Sequence, residues 1–386
     1  DGQIFMEKVL RNEEEIFRAT LDFGTQRLDE ILVDLGNSGE KTIPGDEIFK
    51  LYDTYGFPTD LVEDIAAEAG LTLDMEGFNN AMREQKIRAM ASWKGSGEKQ
   101  ISSFYKSYLQ SNPSTHFLGY DRIEAKGRVT AILKKEEKVE FANEGETVEV
   151  LCDQTPFYGE SGGQVGDIGK AEGTSSQLEI LNAVKPVSDL IVHQIKIRKG
   201  VLKTGDILEL RVDKIRRQSI ALNHTATHLL HSALKIVLGD HVKQAGSLVA
   251  GDRLRFDYTH FSPMNDREKI KIEMVINEKI RDNVEVEKVV MEIDDAIKKG
   301  AIALFGEKYG DRVRVVTIGK FSKELCGGTH INATGDIGLF KIVSEGGIAS
   351  GVRRIEAVTG IDAIARIQKE EEALSSMRSL LKASPS

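Results

Sequence analysis

NHTATHLLHSALKIVLGDHVKQAGSLV, residues 223–249, is where the chain changes period. Upstream, GRVTAILKKEEKVEFANEGETVEVLCDQTPFY (127–158), QLEILNAVKPVSDLIVHQIKIRKG (177–200) and DILELRVD (206–213) alternate apolar with polar residues, as in Val148-Glu149-Val150. A period of 2 marks half-buried strands, and several short strands with Gly-rich turns predict a small β-barrel. Residues 214–239 return to helix, and strands are expected again at 247–249 and 254–258. A long helix over 264–283 follows, capped by Asn265 with Glu268 as its acidic partner. Strand 284–293, helix 294–305 and strands 313–319 and 337–349 are expected to complete an α+β domain.

Toward the amino terminus, Ile4, Val9, Phe17, Leu21, Leu28 and Leu32 recur at near-helical spacing and predict one helix over 3–35. A short helix is expected at 45–56, ended by Phe57-Pro58, because the residue before proline is pushed out of the helical region. Thr59 or Asp60 is expected to cap the next helix, which stops at Gly70, and Asp74 to cap a helix over 75–93. KGSGEK (94–99) reads as the exit from this all-helical unit. The fold class expected is multidomain α+β: a helical segment at 1–95, a linker at 96–126, a small β-barrel at 127–215, an α+β core at 216–355 and a charged terminal helix at 356–386.

A length of 386 residues fits two or three domains. With 61 acidic against 52 basic side chains the net charge is −9, which argues against a globally basic nucleic-acid binder but leaves room for a local basic groove. No run of about 18 apolar residues and no signal-peptide core occur, so no membrane span and a cytoplasmic location are expected. The chain has no initiator Met and opens in what reads as mid-helix, the expectation for an internal fragment. Its two cysteines, Cys152 and Cys326, lie too far apart in sequence to suggest a disulfide framework, and Cys152 reads as a small buried hydrophobe.

HTATH (224–228) places two histidines four apart, on one face of a helix. Alone, the pair also reads as polar histidines at a helix surface. CGGTH (326–330) adds a thiol and a third imidazole across two glycines that permit a tight turn. Zinc takes nitrogen and sulfur donors in a tetrahedron, so His224, His228, Cys326 and His330 predict one zinc ion per chain. Four protein donors normally mark a structural site; catalysis requires an open position, a loose ligand or expansion to five donors. Thr225 and Thr227 stand where a metalloprotease would carry its carboxylate, and neither a GxSxG elbow nor a Walker A loop occurs. His231 reads as a surface residue or as an outer partner of a ligand; His241 and His260 read as surface or loop residues, and His116 and His193 carry no signal. EGGIASGVRR (345–354) reads as a turn, or as backbone that approaches a phosphate beside Arg353 and Arg354.

These motifs, with IFKLYDTYGFPTDLVEDIA (48–66), TPFYGESGGQVGD (155–167), RLRFDYTHF (253–261) and CGGTHINATGDIGLFKIVSEGGIASGVRRIEA (326–357), closely resemble the bacterial-type alanyl-tRNA synthetase family over essentially the whole chain. The resemblance implies that 1–95 is the later part of a helical tRNA-recognition region, 127–215 a barrel and 216–355 an editing core. The resemblance further implies that such a core hydrolyses the ester of tRNA(Ala) mischarged with serine or glycine. The family's metal quartet falls on the four residues named, and a glutamine implicated in editing falls on Gln244, otherwise a polar edge-strand residue. The resemblance also implies that the ATP-dependent ligase site and an oligomerising carboxy-terminal domain belong to the parent protein and not to this chain. Cys326, Gln244, Thr225 and Thr227 are the residues expected to act in hydrolysis. The ion would either activate water or polarise the ester carbonyl, or else hold the ribose or amino group in place. The alternative is a tRNA-binding module with structural zinc, in which Arg83, Lys86, Arg88, Lys243 and Arg353 either touch phosphates or form a solvated surface.

Overall fold

The computed structural model describes residues 2–92, 103–135, 137–303, 310–349 and 351–381. They fall into two compact units, Asp1–Lys99 and Gln100–Ser386. No helix among the described residues is long and apolar enough to cross a membrane.

In the first unit the helices Gly2–Ser38, Gly45–Asp53, Thr59–Glu68 and Met75–Ser92 share a core that includes Leu28, Ile48, Leu51, Phe57 and Val62. Asp74 caps the last helix by accepting the Gly77 N–H at 2.8 Å. Neither Thr59 nor Asp60 caps the third helix, which starts directly after Pro58 without a side-chain cap; the fixed φ of proline already turns the chain into the helix. The unit is not wholly helical, because Thr42–Ile43 pairs in parallel with Thr72–Leu73. That pairing satisfies backbone groups the two loops would otherwise leave open. The KGSGEK exit lies outside the described residues.

The second unit opens with a six-stranded barrel. Its ring runs Ser176–Val187, Gly169–Glu172, Ile207–Val212, Glu124–Lys134, Thr147–Cys152, Leu190–Lys203 and back to the first, all antiparallel. Closure leaves these strands no open edges within the ring. Alternate residues such as Val148, Val150, Leu208 and Leu210 point into its core. Within the stretch expected as a linker, helix Ser103–Ser111 packs Tyr105 and Tyr108 against barrel residues Leu133, Leu151 and Val192.

His193, which carried no signal in sequence, is fully buried in the barrel. Its Nδ1 lies 3.1 Å from the Val150 carbonyl and its Nε2 2.8 Å from the Thr155 hydroxyl. The carbonyl can only accept, so Nδ1 carries the proton and Nε2 accepts from Thr155: a satisfied neutral ring. Burial pushes its pKa down to about 4, against the pull of the Val150 carbonyl. The unfolded chain, with an ordinary histidine, binds the extra proton first. Stability from this residue is therefore complete above about pH 6.5 and lost progressively as pH falls toward 4, by roughly 3 kcal/mol. Urea unfolding across this window should show the loss, and His193→Gln should flatten the slope.

Beyond the barrel, strands Gln244–Val249, Leu254–Thr259, Val352–Thr359 and Phe340–Ala349 form one antiparallel sheet in that order. Val286–Glu292, Arg312–Ile318 and Ser322–Leu325 form a second. Helices Lys214–Leu238 and Asp266–Arg281 share a core with these sheets, through residues such as Leu230, Phe256, Ile276, Val316 and Phe340. The capping box is present as expected: the Glu268 N–H donates to Asn265 Oδ1 at 3.0 Å and the Asn265 N–H to Glu268 Oε2 at 2.9 Å.

Two expectations need correction. The helix expected over 294–305 spans Ile293–Lys298 and ends before Gly300, whose φ of +80° favours glycine; residues 304–305 lie outside the described residues. Among its described residues the terminal segment 356–386 is helical only from Gly360 to Leu381, because its first residues belong to Val352–Thr359, a central strand of the first sheet. That helix also has an anchor, the fully buried Ala363.

Candidate metal centre

Helix Lys214–Leu238 starts on Asp213, whose carboxylate accepts the Arg216 N–H at 3.0 Å. From Ile220 to Leu234 most of its residues are buried. A helix covered on nearly all sides keeps even its polar residues out of water. His224 and His228 accordingly stack at 5.5 Å, only 6% and 4% exposed, which removes the surface-pair reading.

CGGTH leaves the end of strand Ser322–Leu325 and is clamped by two side chains. The Arg314 guanidinium donates to the Cys326 and Gly328 carbonyls at 3.1 and 2.8 Å. It lies 4.2 Å over the Tyr120 ring, whose hydroxyl donates to the Gly327 carbonyl at 2.7 Å. The turn then passes so close to the helix that a Cβ on Gly328 would sit 2.0 Å from His224 Cε1. Cys326 Sγ thus comes to 3.3 Å from both His224 Nε2 and His330 Nε2. One donor atom from each of His224, His228, Cys326 and His330 lies within 4.8 Å of the others. A tetrahedral zinc with bonds of about 2.0–2.3 Å would set sulfur and nitrogen roughly 3.5 Å apart, so the donor set fits that ion. Gly328→Ala is expected to push His224 off its position and weaken metal retention by about 10-fold or more, measured by zinc content after dialysis.

Each imidazole is held from behind. His224 Nδ1 meets Gln164 Oε1 at 2.7 Å, and His330 Nδ1 meets the Thr225 hydroxyl at 3.1 Å. His228 Nδ1 faces Glu324 Oε2 at 2.7 Å, a charge contact without hydrogen-bond alignment. Gln164 is itself fixed by the Thr329 N–H, 2.8 Å from Oε1, and by Thr329 Oγ1, which accepts from its Nε2 at 3.0 Å. Burial works against ionisation of the Cys326 thiol, yet His224, His330 and His228 outweigh it and hold its pKa well below the ordinary value. Burial likewise opposes the charge on Glu324, but His228 and His231 bring its pKa down to about 2. A thiolate ringed by imidazoles is soft-metal chemistry.

Gln164 and Glu324 were not singled out by the sequence. Gln164 comes from the GGQ loop (162–164) that follows barrel strand Thr147–Cys152, and no local pattern marks it. The loop reaches the core through Val249, whose N–H donates to the Gly163 carbonyl at 2.7 Å and whose carbonyl accepts the Val165 N–H at 3.0 Å. Glu324 did carry a signal: it lies two residues before Cys326 on an extended segment, which puts it on the same face. Of the two readings of His231, the surface one falls, since it is 4% exposed, with Nδ1 2.9 Å from Glu324 Oε1, whose Oε2 faces His228.

The remaining expected residues sit less centrally. Thr227 donates to the Asn223 carbonyl of its own helix at 2.8 Å and stays out of the cluster. Gln244 is half-buried on its strand, and its amide makes one long bond, 3.4 Å to Ser247 Oγ. Arg353 pairs with Glu345, and Arg354 with Asp257 at 2.7 and 2.8 Å, so both guanidiniums already have carboxylate partners. His260 is buried, not superficial, with Nδ1 2.8 Å from His241 Nε2. Arg83 and Lys86 are exposed, while the Arg88 side chain lies outside the described residues. Cys152 is buried as expected, and burial pushes its thiol up to about 12.

Residues 2–216 match the family of class II (A) tRNA synthetases, and residues 313–356, which include Cys326 and His330, match the second additional domain of threonyl and alanyl tRNA synthetases. The chain belongs to the class II (A), or alanyl-tRNA synthetase, family. It is 47% identical over 382 residues to an alanine–tRNA ligase of Nitratidesulfovibrio vulgaris, covering 99% of this chain and 44% of that protein. It is 48% identical over 394 residues to that of Chelativorans sp. (100% and 44%) and 46% over 389 residues to that of Myxococcus xanthus (100% and 43%). The chain thus spans less than half the length of these relatives.

Proposed function

We propose that this chain hydrolyses the ester of tRNA(Ala) wrongly charged with serine or glycine, at a zinc ion held by His224, His228, Cys326 and His330. The observation that carries the reading is the clustered quartet, with His224 and His228 buried and Cys326 and His330 half-buried, the latter two in the segment matching the second additional domain. A proofreading step has a physical reason. One methylene is worth only about 1–3 kcal/mol in a binding pocket, so small amino acids slip past a first selection.

In the reaction, water adds to the ester carbonyl, the acyl–oxygen bond breaks and the ribose oxygen takes up the proton. Held by these four residues, a zinc ion would supply positive charge, either to polarise the ester or to anchor the acylated ribose. The chain's own groups do the rest. Gln164, Thr225 and Glu324 fix the three imidazoles from behind, so that their other nitrogens converge. Thr225 thus serves the site as a holder of His330, and Thr227 is left a structural role in its helix. Gln244, weakly engaged by Ser247, keeps an amide available to orient substrate or water.

The test is deacylation of Ser-, Gly- and Ala-tRNA(Ala) side by side, before and after chelation. Serine and glycine esters should be lost faster than the alanine ester, and chelation should abolish the difference; equal rates for all three would reject the reading. One observation favours a second reading, a tRNA-binding module with structural zinc: four protein donors fill a tetrahedron. Salt-dependent tRNA binding without turnover would favour it.

A further inference from the structure

We propose that Glu324, backed by His231, is the positioning residue that sets His228 as a metal donor, so that the centre comprises a quartet and a buried carboxylate–histidine pair behind it. The inference rests on the zinc reading. An imidazole that offers one nitrogen to a metal carries its proton on the other and needs an acceptor there. The groups facing these nitrogens differ in kind: two are hydrogen-bond partners, and the third, at His228, is a charge contact at 2.7 Å without hydrogen-bond alignment. Gln164 Oε1 is neutral and shared with the Thr329 N–H. The Thr225 hydroxyl is neutral, and donates to the Ala221 carbonyl at 3.0 Å. Glu324 alone brings a full negative charge, and it is only 2% exposed.

A buried carboxylate is costly unless its oxygens are occupied. Glu324 divides its two: Oε1 accepts from His231 Nδ1 at 2.9 Å, with Ser322 Oγ at 3.4 Å, and Oε2 faces His228 Nδ1 at 2.7 Å. His231 is not one of the clustered donors. It lies on the same helix as His228, and its ring leans on Phe256 with centroids 5.4 Å apart. What it contributes is to occupy Oε1 and so keep Oε2 aimed at His228. The negative charge strengthens His228 as a donor and offsets part of the charge that three neutral imidazoles and one thiolate would leave on a divalent ion.

Cobalt(II) titration of the full chain, read by d–d absorption and followed by zinc competition, tests this. Glu324→Gln keeps the shape and a neutral acceptor. It should weaken metal binding by about 10–100-fold and shift the cobalt bands. Failure of the wild-type chain to bind cobalt or zinc would reject the zinc reading itself. Wild-type binding with an unchanged affinity and spectrum in Glu324→Gln would overturn this inference alone. A fall in thermal stability with both metal readouts unmoved would also overturn it, since that is what a merely structural buried pair predicts. If Glu324→Gln does not fold, His231→Gln, which keeps every donor and the carboxylate, decides. Weakening by up to about 10-fold with a band shift supports the role, and wild-type affinity and spectrum overturn it.

Discussion

Replacing Cys326 with Ala is expected to remove both the metal and the hydrolysis of Ser-tRNA(Ala). The thiol lies 3.3 Å from two of the imidazoles and is the one donor in the quartet that bears a negative charge when ionised. Loss of an outer contact to a metal ligand typically costs about 10–100-fold in affinity or activity, so loss of the ligand itself should exceed roughly 100-fold. Fold stability should suffer less, because the side chain is half-buried at the edge of the main core. The measurement is zinc content by mass spectrometry beside the deacylation rate, with circular dichroism to confirm the fold. If the variant keeps its zinc and its full rate, the assignment of Cys326 fails. If it loses zinc but keeps its rate, the ion is structural and the module reading gains.

The parts of the fold that proved legible were those set by local chemistry. Asn265 and Glu268 spell a capping box whose two hydrogen bonds are made within four residues. The barrel strands showed their alternation because one face of each is buried and the other is wet. Strand Val352–Thr359 was harder. Ile355, Ala357 and Thr359 do alternate inward, but Ala and Thr are weak apolar markers, and Arg353 and Arg354 interrupt the pattern. Those arginines are tolerated because Glu345 and Asp257 lie across from them, a pairing that cannot be read along the chain.

The same contrast holds in the site. HTATH and CGGTH are short motifs whose spacing carries the donor chemistry, and the fold brings the two together. Glu324 and His231 are 93 positions apart; the one has only its place two residues before Cys326 to mark it, and the other alone looks like a solvated surface residue. Their burial is tolerated because Glu324 has His231, Ser322 and His228 against its oxygens. Gln164 is 60 positions from His224, in a loop that leaves the barrel, and nothing local announces that a barrel loop completes the core's site.

The ion pair that holds this loop gives the second large effect. Arg217 is buried on helix Lys214–Leu238, and its Nε donates to Asp167 Oδ1 and Oδ2 at 3.0 and 2.9 Å. Its remaining nitrogens donate to the Gly119 and Pro156 carbonyls, each at 2.8 Å. Asp167, three residues beyond Gln164, also accepts the Tyr158 N–H at 2.6 Å. Arg217→Met leaves that carboxylate without its cation and two carbonyls without their donor. Breaking a buried pair from one side costs about 3–5 kcal/mol. The variant should therefore unfold at markedly lower urea concentration, and the midpoint shift with an unchanged slope is the measurement. Adding Asp167→Leu removes the stranded charge, which in many proteins restores most of the loss. Here recovery should be incomplete. The Gly119 and Pro156 carbonyls would still lack the Arg217 donor, at about 1–3 kcal/mol for each that stays dry. Full recovery in the double variant would mean that water reaches those groups and that the loop is held by packing. Incomplete recovery together with weakened zinc retention would tie the ion pair to the seating of Gln164 behind His224.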